Sequence, residues 1–384
     1  MLKTEKLYSA NYFMISDSLY SKNCTKIIER SRHLDGIRGI AALAVAIFHF
    51  ARSFDNSLLS SEKTINSTFI SSLWNGHFAV AVFFVLSGFL FLKKFHCASL
   101  RPALKAIIKR YLRLSLPILA ICLLAYIVHA LGLYFNGEAS TLSDSDWLKR
   151  WYSFQPSASL AISESLWGDF VSFNAQKTYN ANLWTISYEL LAVSLVIAFG
   201  VICKNLKPSM QVISILIIFA ATYGTHYFEF FLGATLALPY VQKRATMKTK
   251  YSVILILLAL SIAPMVPQRE LAGLAVDLSY PIAAALLVFA VSANKNLRTA
   301  FSCKPLLKLG EISFGVYLTH FITLNSIASY TFIITESKLA TLIIYITTTA
   351  IASIIFTQAI DRPLTTFLNK LFLPKKMTTT IPAS

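Results

Sequence analysis

Charge is scarce in this chain. Of its 384 residues only 14% are Asp, Glu, Lys or Arg, against about 25% in an ordinary soluble domain. Hydrophobic residues make up 55% and mean hydropathy is +0.60, so a soluble globular fold is excluded on composition. Acidic residues are the scarcer sign, 18 against 35 basic ones. The positive excess is spread between apolar blocks and is not gathered on one surface beside an aromatic or helical reader, which excludes a nucleic-acid partner. Cysteines are few and scattered, at Cys24, Cys97, Cys122, Cys203 and Cys303, with no C-x-x-C spacing. Neither a disulfide framework nor a zinc site follows from them, and no metal is expected. The opening "MLKTEKLYSANYFMISDSLYSKNCTKIIERSRH" has basic residues but no apolar core followed by a small-residue cleavage site, which reads as a cytosolic leader, not a signal peptide.

Long apolar blocks are what the chain does have. They do not alternate at period two as barrel strands would, and their lengths suit helices crossing about 30 Å of hydrocarbon. Ten candidate spans fall near 36–54, 76–92, 112–134, 183–202, 211–223, 226–241, 251–266, 271–292, 312–333 and 339–359. The expected class is all-α, a polytopic membrane helical bundle of about ten transmembrane helices. With the N-terminus placed inside, all Lys and Arg except Arg52, Lys63, Lys149, Arg150, Lys177, Arg269 and Lys338 fall in cytoplasmic segments or adjoining helix ends. That bias obeys the positive-inside rule and predicts both termini cytoplasmic. The expected organisation is a leader over 1–32, a membrane domain over 33–365 with one long outer loop at 135–182, and a cytosolic tail over 366–384. The loop carries Trp147, Trp151, Phe154, Trp167 and Phe173, enough aromatic surface to pack as an ordered cap or acceptor-binding element.

Against this background, polar residues inside the blocks stand out. In "LDGIRGIAALAVAIFHF" Arg38 and His49 are eleven residues apart. Eleven residues make about three helical turns, so both side chains share a face roughly 16 Å apart. Such a pair can hold the phosphates of a long molecule at one end of a cavity while a titratable imidazole meets its reactive end; the plainer reading is an interfacial anchor and an interfacial histidine. In "IIKRYLRLSLP" Arg110 and Arg113 share a face, which suits a phosphate clamp and also ordinary anchoring. Ser87, in "FFVLSGFLFLKK", thins its helix for close packing and is also a possible nucleophile. Glu189, in "NLWTISYELL", lies two turns inside an apolar helix, where a carboxyl needs a partner or a proton, and so can orient His49 or handle a proton. Tyr317 and His320, in "GEISFGVYLTHF", share another face; a structural histidine is the plainer reading there.

Taken in order, these stretches resemble acyltransferase family 3, a family of integral membrane proteins. The resemblance rests on "LDGIRGIAALAVAIFH", "FFVLSGFL", "KRYLRLSLP", "LWTISYEL", "LGEISFGVYLTHF" and the final "DRP" at Asp361 to Pro363, and covers about residues 33 to 365. It implies about ten helices and transfer of an acyl group, commonly acetyl, from coenzyme A to a hydroxyl of a glycan or other acceptor. By that likeness Arg38, Arg110 and Arg113 hold the anionic donor, and His49 is the base or a transient acyl carrier. Ser87, Tyr317 and His320 are expected in substrate binding, and Glu189 beside His49 in catalysis. The sequence departs from the family pattern at Glu189, preceded by Tyr188 where a second acid is usual, and at Thr319, where an aromatic residue is common. The expected partners are acyl-coenzyme A as donor substrate with no further cofactor, a surface or exported glycan such as a lipopolysaccharide or polysaccharide, and the lipid bilayer of the inner membrane. A transporter or flippase is the rival reading. Such proteins often show paired Gly/Pro-broken helices, and with 13 Gly and 12 Pro in the chain no such pairing is visible.

Overall fold

The computed structural model describes residues 31–55, 69–96, 98–241, 246–265 and 274–372. Most of the leader, the tail from 373 onward, Cys24 and Cys97 lie outside the described residues. Among those described the chain is all-helical, with no strand. The elements are α1 Arg32–Phe54, α2 Gly76–Phe95, α3 Leu100–Ala130, α4 Asn136–Ser143, α5 Asp146–Lys149, α6 Ala158–Ser163, α7 Ile186–Cys203, α8 Pro208–Thr222, α9 Tyr227–Val241, α10 Thr249–Ile262, α11 Leu274–Ala293, α12 Lys295–Ala300, α13 Lys304–Thr323, α14 Ser329–Thr335, α15 Lys338–Phe356 and α16 Arg362–Leu371.

A helix stands at each of the ten apolar blocks. Five stretches are long and apolar enough to cross a membrane: Arg32–Phe54, Gly76–Phe95, Leu100–Ala130, Ala181–Cys203 and Lys338–Leu371. Shorter apolar helices occupy Ser209–Thr222, Tyr227–Leu238, Thr249–Ile262 and Leu278–Ala293. Large aliphatic side chains stay exposed around the perimeter, among them Leu216, Ile217, Ile355 and Ile343. Such a surface is tolerated where the surroundings are themselves apolar.

Two helix crossings depend on glycine. A Cβ on Gly88 of α2 would fall onto the Phe230 carbonyl of α9, and one on Gly233 of α9 onto the Val85 carbonyl of α2. The reciprocal absence of side chains lets the two backbones touch, the usual way helices associate where no hydrophobic drive separates them from lipid. Gly39 of α1 and Gly310 of α13 do the same for another pair, each lying against the other helix's backbone. That second crossing fixes α1 against α13, and so sets His49 opposite His320.

The stretch 135–182 is ordered, as its aromatics lead one to expect, but it does not stay at one end of the bundle. Tyr179 packs beside Tyr126 and His129 near the end of α3. From there α6, a π-helical turn at Glu164–Gly168 and a last turn at Asp169–Val171 run back along α3. The hydroxyl of Tyr111, some ten residues from Cys122 down the same helix, donates to the Leu166 carbonyl at 2.7 Å, and its ring lies 5.1 Å from that of Phe170. The returning segment shows Ile162, Trp167 and Val171 outward and buries Glu164, Ser165 and Asp169. Its wide π turn bonds the Asp169 N–H to the Glu164 carbonyl, which brings both carboxyls to one side. With the Cys122 thiol they form a buried trio whose ligand atoms lie within 4.8 Å of one another.

Candidate active site

A cavity of about 300 Å³ runs along the inner face of α1, lined by Arg38 at one end and by His49 and Arg52 at the other. That is at the small end for a small-molecule site. Ser87, Arg110, Arg113, Glu189 and Tyr317 also line it. Helix arithmetic on α1 therefore holds: Arg38 and His49 face one passage. His320 lies just behind the wall, fully buried.

The hydrogen bonds around His49 fix its tautomer. His320 Nδ1 lies 2.6 Å from the Val316 carbonyl, and a carbonyl only accepts, so Nδ1 carries the hydrogen. The Nε2 of a neutral His320 is then an acceptor. It receives the Asn182 side-chain amide at 3.1 Å and faces His49 Nδ1 at 3.1 Å. That one lone pair lies between the Asn182 amide and His49 Nδ1; the 3.1 Å approach of the two imidazoles is a hydrogen bond when His49 carries its hydrogen on Nδ1 and shares the lone pair with Asn182, the tautomer whose Nε2 lone pair is bare, the form a general base needs. Orientation is held as well: the two imidazoles are inclined by only 18°, and the Trp147 ring stacks on His49 at 5.2 Å and 26°.

Asn182, the anchor of His320, is tied in turn. It donates to Asn180 Oδ1 at 3.0 Å, its carbonyl accepts the Tyr317 hydroxyl at 2.7 Å, and Asn180 donates to the Leu318 carbonyl at 2.8 Å. Tyr317 also meets Thr185 Oγ1 at 2.9 Å. Tyr317 and Asn182 thus serve as supports of the imidazole pair, one on α13 and the other just ahead of α7.

The opposite end is built from guanidiniums and carboxylates. Arg110 pairs with Glu189, and the Ser87 hydroxyl donates to the same Glu189 oxygen at 3.1 Å. Arg38 lies 3.7 Å from Asp35, and Arg113 lies 3.9 Å from Asp361 of the "DRP" element. Arg110 Nε is buried and has no hydrogen-bond partner among the described residues.

Two placements differ from expectation. Glu189 was expected to orient His49 or to handle a proton; it lies at the arginine end, paired with Arg110, seven residues beyond Asn182, and so does not orient the imidazole. The role foreseen for Glu189 falls to His320, whose plainer reading was structural. Asn182, Asp361, Trp147 and Arg52 were not among the expected site residues. Arg52 could have been found by the arithmetic that joined Arg38 to His49, since it stands one turn beyond the histidine on the same helix. Asn182, a buried amide ahead of "LW", carries no sequence signal of its own.

Comparison with curated proteins and with solved structures returns no match. The Acyltransferase domain family matches residues 32–358, from the first residue of α1 to beyond the end of α15, and so takes in both ends of the cavity. The chain belongs to acyltransferase family 3 and is a multi-pass membrane acyltransferase.

Proposed function

We propose that the protein transfers an acyl group, acetyl in the first place, from acyl-coenzyme A to a hydroxyl of a surface or exported glycan, as an O-acyltransferase of the inner membrane. In this reading the chain crosses ten times with both termini cytoplasmic, so that the arginine end faces the cytoplasm and the His49 end faces outward; the bias of Lys and Arg between the apolar blocks supports it. Coenzyme A then approaches from the cytoplasm with its phosphates on Arg38, Arg110 and Arg113, and its thioester points up the cavity. Guanidiniums suit that task because each presents paired donors to an anionic oxygen without losing its charge.

The chemistry follows from the tautomer. The bare Nε2 of His49 removes the proton from the acceptor hydroxyl as its oxygen attacks the thioester carbonyl. The tetrahedral intermediate collapses by breaking the carbon–sulfur bond, and the proton held on His49 passes to the departing thiolate. While His49 is an imidazolium its Nδ1–H still has His320 Nε2 to donate to, so the charge never loses its hydrogen bond. The observation that carries this reading is the chain Val316 carbonyl, His320, His49, which leaves one imidazole nitrogen free on the wall of a cavity whose other end holds three arginines.

The test is label transfer in proteoliposomes supplied with radiolabelled acetyl-coenzyme A and cell-surface glycan. His49→Ala is expected to lower transfer by about a hundred-fold to ten-thousand-fold, the usual worth of a general base, with insertion and melting unchanged. Transfer at the wild-type rate would refute the reading. Glycan movement across the vesicle wall without label in the product would favour a transporter.

A further inference from the structure

Away from the cavity's chemistry, one cluster of reactive side chains has no role in acyl transfer. Cys122 of α3, Glu164 at the start of the π turn and Asp169 just past its end bring their ligand atoms within 4.8 Å of one another. All three are buried, at 0%, 6% and 1% exposure. Cys122 lies within a stretch long and apolar enough to cross a membrane, where a carboxyl without a partner is costly. No spacing rule announces the trio, because its members come from two distant segments.

The cluster has acceptors in excess. Glu164 Oε1 accepts the Tyr179 N–H at 2.9 Å, while Glu164 Oε2 and Asp169 Oδ2 are buried without a hydrogen-bond partner among the described residues. The Cys122 thiol reaches Glu164, but a thiol is a weak donor with a single hydrogen. Among the described residues no Lys, Arg or His acts on either carboxyl, and the chain is described without a break from 98 to 241, which takes in both segments. The backbone is shaped to gather the two acids. Five residues along an ordinary α-helix would set Glu164 and Asp169 about 140° apart; the π turn, whose closing bond runs from the Asp169 N–H to the Glu164 carbonyl, brings both to the α3 side. Such turns are frequent at functional sites, and an N–H on the second oxygen of Glu164 is the outer contact that orients a metal ligand.

We propose that Cys122, Glu164 and Asp169 bind one divalent cation of the zinc class, which clips the returning segment of 135–182 to α3. The inference is independent of the acyl-transfer reading. A thiolate beside two carboxylates selects a borderline ion such as Zn2+ over Mg2+ or Ca2+, which take oxygen ligands. Zn–S of about 2.3 Å and Zn–O of about 2.0–2.2 Å in a tetrahedral array set ligand atoms about 3.5 Å apart, so side-chain movement of roughly 1 Å closes the trio on the ion. Binding releases the thiol proton to solvent, and a second carboxylate oxygen or a water completes the shell.

The experiment uses the full chain in detergent, stripped with a chelator and then loaded with Zn2+ or Co2+. The expected results are about one equivalent of Zn2+ per chain by elemental mass spectrometry, a thiolate-to-metal charge-transfer band with Co2+, and a melting temperature raised by Zn2+. Cys122→Ser is expected to remove the band. Glu164→Gln and Asp169→Asn are expected to weaken Zn2+ binding at least about tenfold and to abolish the rise in melting temperature. Cys303→Ser, which removes an exposed thiol, is the control and should change none of these. Absence of the band in the wild type overturns the proposal, as does a band that survives Cys122→Ser or is lost in Cys303→Ser. If Cys122→Ser fails to fold, Asp169→Asn, which keeps the side chain's shape, decides: Zn2+ held as tightly as in the wild type overturns the proposal. Infrared carbonyl stretches lost in Glu164→Gln and Asp169→Asn but unmoved by Zn2+ would show two protonated acids at the site and overturn it as well.

Discussion

His320 is the residue at which the proposed chemistry is most exposed to test. In His320→Ala the Nδ1–H of His49 loses its acceptor, and Trp147, which stacks on the ring, offers no replacement in its plane. A buried donor left without a partner costs about 1–3 kcal/mol. The imidazole can avoid that cost only by moving its hydrogen to Nε2, which removes the lone pair that serves as base. Either way the reactive form is disfavoured by about 1–3 kcal/mol, and kcat for acetyl transfer falls by about 5- to 150-fold. His320→Gln is the informative companion, since its side-chain oxygen can accept from Nδ1 and should recover about a tenth or more of the wild-type rate, whereas a methyl group cannot. The assay is single-turnover transfer of labelled acetyl to glycan in proteoliposomes, with the KM for acetyl-coenzyme A measured in parallel and expected unchanged, because His320 lies far from the arginine end. Wild-type kcat in His320→Ala would refute the tautomer argument. Equal losses in the Ala and Gln variants, with weakened donor use, would reassign His320 to packing.

Arg113→Lys replaces a two-pronged donor by a point charge and is expected to raise the KM for acetyl-coenzyme A about tenfold with kcat little changed, as steady-state kinetics would show; an unmoved KM returns Arg113 to anchoring. Ser87→Ala should alter kcat by less than about tenfold, since the hydroxyl's hydrogen is given to Glu189, which keeps Arg110; a thousandfold loss in the same transfer assay would make Ser87 a nucleophile. Gly88→Ala forces a Cβ against the Phe230 backbone and should cost about 1–3 kcal/mol, read as a lowered melting temperature in detergent. Gly137→Ala, which has nothing within 4 Å, is the matched control and should leave the melting temperature in place.

Which parts of this molecule were legible in the sequence follows from the range of the forces involved. Apolar blocks mark helices because each must satisfy its own backbone inside hydrocarbon, so helices stand at all ten blocks. Their ends are less visible. α3 begins at Leu100 and not near 112, because the basic run "LRPALKAIIKR" hides a helical turn pattern under charges that keep the stretch out of any apolar window. The block at 312–333 is the middle of one continuous helical run from Lys304 to Thr335, widened at Leu324–Ala328 by a π turn that shifts the spacing. The segment returning along α3 was hidden for a related reason: Glu164, Ser165 and Asp169 on its buried side pull its mean hydropathy down, although its outward side is Ile162, Trp167 and Val171.

Within the site the same limit applies to pairs of residues. Arg38, His49 and Arg52 ride one rigid helix, so a fixed rise and rotation per residue settle their common face without any knowledge of the fold. His49 and His320 are separated by 271 residues, and no periodicity reaches that far; their meeting depends on the glycine crossing of α1 with α13. The case of Glu189 shows the consequence. A buried carboxyl must find a cation or a proton, which correctly marks Glu189 as paired, but the rule is silent on which cation, and Arg110 rather than His49 is the one that the packing of α3 against α7 supplies. Among the described residues His49 is backed by His320 and, through it, by the Val316 carbonyl, so the support that a buried carboxyl would have given comes in the proposed mechanism from a second imidazole and a backbone group.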